Sequence, residues 1–126
     1  MTQAPITKTI TLQLGFATTD SCKVPISIPF PVSRIVLKTA SIQQVVNAAD
    51  ATSILCLRSD LIDNDILFHF APSAEYINLL LDQNFYLTNK KINSTFTFQI
   101  LLGQTRPLSA PADIDIGMFL TMEMYA

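Results

Sequence analysis

The sequence predicts an all-β fold, an eight-stranded antiparallel β-sandwich, and three observations carry that prediction. Apolar and polar residues alternate with a period of two through most of the chain, as where Phe96, Phe98 and Ile100 alternate with Thr97 and Gln99. Such alternation puts one set of side chains on one face of a strand. Polar or proline-bearing breaks recur between the alternating runs, and no long helical stretch separates them as parallel crossovers require. At 126 residues, 49% of them apolar, the chain is long enough to bury a core within one domain.

Taken in order, residues 1–5 read as a short N-terminal arm, and residues 6–126 as the domain. Ile6–Phe16 is a long strand, with Ile10, Leu12, Leu14 and Phe16 opposite Thr9, Thr11 and Gln13, and Lys8 interrupting the apolar face. Ala17–Ser21 is a polar turn that leaves Cys22 in a loop. Lys23–Phe30 alternates again, and its prolines Pro25 and Pro29 mark an edge or bulged strand because proline lacks the ladder N–H. Arg34–Ala40 is β-branched at its centre. Ile42, Val45 and Val46 have the spacing of a helical turn, although Asn47–Asp50 suggests a loop. Ser53–Ser59 and Ile66–Phe70 are the next strands, joined by Asp60–Asp65, whose Asp and Asn residues tolerate left-handed backbone.

Glu75–Gln83 is ambiguous, since Tyr76, Leu79 and Leu80 have helical spacing and Ser73 stands where a cap belongs. Phe85–Thr88 is a sixth strand, turning at Asn89–Lys91. The run Thr95–Ile100 and the closing run Ile114–Met124 complete eight. In the last of these Ile114, Ile116, Met118, Leu120, Met122 and Met124 share one parity. These two runs, joined by Gly103–Asp113, read as an antiparallel pair with a long loop. Eight strands without the immunoglobulin Cys and Trp marks favour a single jelly roll.

Charged residues are only 14% of the chain, against roughly 25% in ordinary soluble domains. Either the core is unusually tight or part of the outer surface is covered by other subunits. A net charge of −2 with singly scattered Lys and Arg disfavours direct nucleic-acid binding. Met1–Pro5 lacks the features of a signal peptide, and the apolar runs fall far short of the ~20 residues that span a bilayer. Synthesis in the cytoplasm without a signal peptide is therefore expected.

No residue set announces a reaction, so no enzyme activity, metal or cofactor is expected. His69 between Phe68 and Phe70 has no local carboxylate or nucleophile to work with, and alternation points it away from both rings. Asp60, Asp63, Asn64 and Asp65 lack the glycine and terminal Glu of a calcium loop and read as a solvated turn. Cys56 reads as buried and inert, and Cys22 beside Lys23 is thin support for a reactive thiol. Asn93–Ser94–Thr95 matches a glycosylation acceptor by chance. Without Trp, a sugar-binding platform is weakly supported. Met118, Met122 and Met124 are expected to fill the core, with an interface as the second option.

The C-terminal third resembles a pattern in small jelly-roll capsid and spike proteins of double-stranded DNA viruses, the polinton-like viruses, virophages and their relatives. The residues that carry it are Phe85–Thr88, then Lys91–Ser94, the alternating Phe96, Phe98 and Ile100, a loop with Gly103 and Pro107–Leu108, and the long final strand. Ile54–Ile62 is similar to the strand and corner such proteins place mid-domain. The loop departs from the pattern in its two prolines and in lacking an aspartate straight after the strand. The resemblance implies a virion structural protein, a vertex (penton-type), minor capsid or spike subunit. It implies self-association into a trimer or pentamer, contact with other capsid proteins, and no catalytic residues. The expected contact residues are Asp63, Asn64 and Asp65 in one loop and Thr105, Arg106, Pro107 and Leu108 in another. A ligand- or carbohydrate-binding module, such as a receptor-binding head, is the alternative.

Overall fold

The computed structural model describes residues 7–45, 54–63, 65–71, 76–102 and 115–126. Among them, in chain order, are β1 (Thr7–Ala17), β2 (Ser21–Ser27), β3 (Val32–Val45) and β4 (Leu55–Ser59), then β5 (Asp65–Phe70), β6 (Ile77–Lys90), β7 (Asn93–Leu102) and β8 (Asp115–Tyr125). A single 3-10 turn, Asp60–Ile62, links β4 to β5. The strands form two four-stranded sheets, ordered β1-β8-β3-β6 and β2-β7-β4-β5.

Every ladder is antiparallel, and the pairs β4·β5, β3·β6, β2·β7 and β1·β8 are those of one long hairpin with its tip at the 3-10 turn. Rolling that hairpin up brings β8 beside β3 and β7 beside β4, which closes each sheet. This wrapping is the single jelly roll. The inward faces meet in one core that includes Leu14, Phe16, Ile35, Leu37, Leu57, Phe98, Ile100, Met118, Leu120, Met122 and Met124, all fully buried. Met118, Met122 and Met124 are core residues.

β3 obtains its inward row in an irregular way. Ile35 and Leu37 face in, and so do Ala40 and Ile42, although strict alternation would turn the second pair outward. A bulge resolves this. Between the rows of Leu37 and Thr39, β8 has no residue, β3 has Lys38, and β6 has both Leu81 and Asp82, the latter at φ 46°. The extra residue switches the facing of β3 without breaking either ladder. Lys38 lies 3.5 Å from both Asp82 and Glu123, and those carboxylates, Asp82 foremost, raise its ammonium above the usual lysine range.

The hairpin tip is held by polar bonds over an apolar floor of Leu61 and Ile62. The Ser59 hydroxyl, 2% exposed, accepts from the Leu61 N–H at 3.1 Å and donates to the Thr97 carbonyl at 2.9 Å. Asp60 accepts from the Thr97 N–H at 2.8 Å. Lys90, at the end of β6, donates to the Leu61 and Asp60 carbonyls at 2.8 and 3.2 Å and stands 3.8 Å from Asp63. Lys90 thus ties the edge of one sheet to the corner of the other.

Several expectations change. β7 and β8 are not a pair; they lie in opposite sheets. Alternation reveals which face of a strand is buried but not which strand lies beside it. The helical reading of Glu75–Gln83 fails where it can be seen, since Ile77–Gln83 belongs to one strand with Phe85–Thr88. Leu79 faces in while Leu80 faces out at 90% exposure, so the apparent helical spacing joined two opposite faces. Ile42 and Val45 extend β3 rather than forming a helical turn. Cys22 lies in β2 and not in a loop. β2 is an edge strand carrying Pro25, and Asp63 is left-handed at φ 52°, both as expected. The arm at residues 1–5 lies outside the described residues.

Ser59→Ala leaves the Leu61 N–H and the Thr97 carbonyl without their partner, so a loss of about 1–3 kcal/mol is expected in urea unfolding. A change below about 0.5 kcal/mol, the scale of an ordinary surface substitution, would show that the corner stands without it.

Candidate interface surfaces

With no catalytic constellation to build, the question becomes what the outer faces present. Cross-strand neighbours share a face, so the registers of the first sheet specify its outer surface row by row. One row reads Thr7, Tyr125, Arg34, Tyr86, and the next Thr9, Glu123, Val36, Asn84. Beyond the bulge come Thr11, Thr121, Thr39, Leu80, then Gln13, Phe119, Ser41, Asn78. The surface is mostly neutral: threonine, serine and amides, with a few charges held in pairs.

Several of these groups are already ordered. The hydroxyls of Thr11 and Thr121 are 3.1 Å apart, and Ser41 donates to the Asn78 carbonyl oxygen at 2.7 Å. The Arg34 guanidinium lies over the Tyr125 ring, 4.0 Å from its centroid, a cation–π contact that fixes both side chains. Tyr86, 75% exposed, stands next to Arg34 in the same row. Leu80 and Phe119 are exposed on this face too, and Tyr76 is exposed immediately before β6. Tyr and Arg with little charge around them are the composition of interface centres.

A second feature lies at one end of this face. Gly15 and Gly117 are direct partners on β1 and β8, and a Cβ added to either would meet nothing within 4 Å. They floor a dent of about 280 Å³ walled by Gln13, Phe119, Gln43, Tyr76 and Asp115. Neither internal packing nor backbone conformation requires these glycines.

Of the expected contact residues, Asp63 and Asp65 flank the hairpin tip and are exposed. Asp63 is held near Lys90, and the Asp65 carboxylate accepts from the Ile66 N–H at 2.9 Å. Asn64, Thr105, Arg106, Pro107 and Leu108 lie outside the described residues. Sequence alone does not give the aromatic face, because the ambiguous stretch Glu75–Gln83 separates Leu80 from Tyr86 of the strand Phe85–Thr88. Alternation carried through the whole of Ile77–Lys90 would have found it.

His69 is exposed on β5 and turned away from Phe68 and Phe70, as alternation requires. Cys56 is buried and paired across the ladder with buried Leu101, and burial pushes its thiol up. Burial also raises the half-buried Cys22 thiol, partly offset by a hydrogen bond to the Gly15 backbone. Among the described residues no three metal-ligating side chains cluster.

No protein-family model and no curated protein matches the chain. Solved structures do. A chain of the cyanophage Pam1 capsid asymmetric unit is 13% identical at a TM-score of 0.47, covering 96% of this chain and 85% of that one. The Drosophila NLP core, a structure titled for pentamer formation and histone binding, is 10% identical at 0.45, covering 89% and 96%. A turnip yellow mosaic virus chain is 14% identical at 0.39, covering 98% and 95%. At such identities and scores these likenesses carry no argument about what the present chain does.

Two predictions follow from this surface chemistry. Because the added methyl meets open space, Gly117→Ala is expected to raise stability by about 0.5–1 kcal/mol in thermal or urea unfolding. A decrease would mean that another part of the chain closes over the dent. A raised thiol pKa means less thiolate at neutral pH, so Cys22 is expected to react with iodoacetamide more slowly in the folded than in the urea-unfolded chain. Equal rates would place Cys22 in open solvent.

Proposed function

We propose that this chain is a viral structural protein, a single jelly-roll subunit that works through its interfaces in a capsid vertex, minor capsid or spike. The observation that carries a structural rather than a chemical role is the outer face of the first sheet. It displays Tyr86, Leu80 and Phe119 among neutral hydroxyl and amide groups. Such a face loses little on leaving water, since few of its groups carry the desolvation cost of an ion. The virion setting is supported by the sequence resemblance over Phe85–Met124. In this reading the subunit forms a trimer or pentamer through a heterologous interface, because a ring of three or five joins two different patches. Asp63, Asn64 and Asp65 at the hairpin tip, with Thr105, Arg106, Pro107 and Leu108, are assigned to contacts with neighbouring capsid proteins. The domain spans residues 6–126 behind a short arm, with no direct nucleic-acid partner and no membrane span.

Light scattering on a sizing column tests this. A trimer, a pentamer or a larger closed shell is the expected result, with Arg106→Glu and Phe119→Ser each shifting it toward smaller species. A 13.9 kDa monomer at all concentrations would sink the structural reading and move a ligand-binding module ahead of it. If Arg106→Glu leaves assembly intact, the contact assignment of the Thr105–Leu108 segment fails while the wider reading stands.

A further inference from the structure

Four strands sit at sheet edges, β1 and β6 in one layer and β2 and β5 in the other, and they are not equally protected. An edge strand exposes unpaired N–H and C=O groups that recruit another strand unless something blunts it. β2 carries Pro25 and β5 is only 6 residues long. β1 is longer, but its inward Leu12, Leu14 and Phe16 are buried, so that side of the sandwich is closed. β6 has 14 residues and no proline, and Asp82 is the only charged residue in Ile77–Asn89. That charge is already taken up by Lys38 of the same chain.

The inward row of β6 is also incompletely covered. Ile77, Leu79, Leu81, Phe85 and Leu87 pack against the core, yet each is only half-buried. On the outer side of the same strand, Leu80 is 90% and Tyr86 75% exposed. Apolar surface thus lies on both faces of one edge strand.

The order of these residues indicates what would cover them. Around Gln83, from Asn78 to Thr88, apolar residues mirror apolar ones and polar residues mirror polar ones. Asp82 mirrors Asn84, Leu81 mirrors Phe85, Leu80 mirrors Tyr86, and Leu79 mirrors Leu87. An antiparallel pair of identical strands related by a two-fold axis brings each residue opposite its mirror image, which is the self-complementarity an isologous contact requires. We propose that two copies of this chain pair β6 to β6 about a two-fold axis at Gln83, joining two four-stranded sheets into one of eight.

In that arrangement Leu80 of one copy meets Tyr86 of the other on the outer face. Leu81 meets Phe85, and Leu79 meets Leu87, on the inner face, which completes the cover of the half-buried row. Directly opposite side chains in an antiparallel pair approach to about 5 Å. Asp82 falls opposite an amide rather than another carboxylate. The bulge at Asp82 lies beside the axis and is duplicated by it, so the runs on both flanks keep one register. The contact stands on β6 alone and does not depend on the virion reading. A dimer and nothing larger would end the ring proposal and leave this one standing.

The test is a cross-linking pair chosen by the register. Leu80→Cys and Tyr86→Cys are both at exposed positions and leave the core untouched. Mixed and mildly oxidised, the two variants are expected to form a covalent 80–86 dimer. Neither variant alone is expected to do so, because its two cysteines would be roughly 20 Å apart at 3.3 Å per residue, beyond disulfide reach. By light scattering the unmodified protein should be no smaller than twice the 13.9 kDa chain mass at micromolar concentration, and Leu80→Lys should lower that mass and abolish the two-fold contact. A dimer or larger assembly that gives no 80–86 cross-link, or a monomer at every concentration, would overturn the proposal.

Discussion

The first sheet depends on the double pairing of β8. That strand hydrogen-bonds to β1 on one side and β3 on the other, while Ile116, Met118, Leu120, Met122 and Met124 reach the core with at most 1% of their surface exposed. Without it β1 has no neighbour, and β3 with β6 is a lone hairpin, which is marginal in water. The sheet therefore rests on contacts between residues as far apart as Thr11 and Thr121, 110 positions along the chain. Closing so large a loop costs entropy before any ladder repays it, and a fold built this way forms slowly and all at once.

Within that sheet the bulge at Lys38 reconciles two demands. The core needs Ile35, Leu37, Ala40 and Ile42 on one side of β3, and a regular strand cannot supply all four. Adding one residue in β3 and two in β6 meets the need and lengthens the sheet progressively away from β8. The inserted residue is a lysine, and it lands between Asp82 and Glu123, so the irregular row is also where the sheet concentrates its charge. The apolar row of the edge strand β6, from Ile77 to Leu87, stays half-buried.

Much of this was legible from residue order, and the failures have one cause. Alternation located all eight strands, the inward methionines of β8, the outward His69 and the edge position of β2, since each depends only on a local period or on proline's missing donor. It misplaced what depends on neighbours. The pairing of β7 with β8 was inferred from adjacency in sequence, whereas rolling the hairpin puts them in opposite layers. β6 was divided because Leu79-Leu80-Leu81 is apolar on both faces, a pattern that blurs a period of two into something resembling a helix. Of the expected contact residues, only Asp63 and Asp65 fall within the described structure.

That ambiguous apolar triplet is itself informative. In a monomer, an edge strand with leucines on both faces is a liability, and selection for solubility usually places lysine or proline there. Elsewhere the edges are blunted, by Pro25 on β2 and by the shortness of β5. The absence of lysine and proline from Ile77–Asn89 of β6, together with a first-sheet surface of threonine and amide rather than lysine and glutamate, therefore has a direction. Of the charges on that sheet, Lys38 stands between Asp82 and Glu123, and Arg34 is laid over Tyr125. What the sheet presents to a neighbour is area and backbone, and both are greatest along β6.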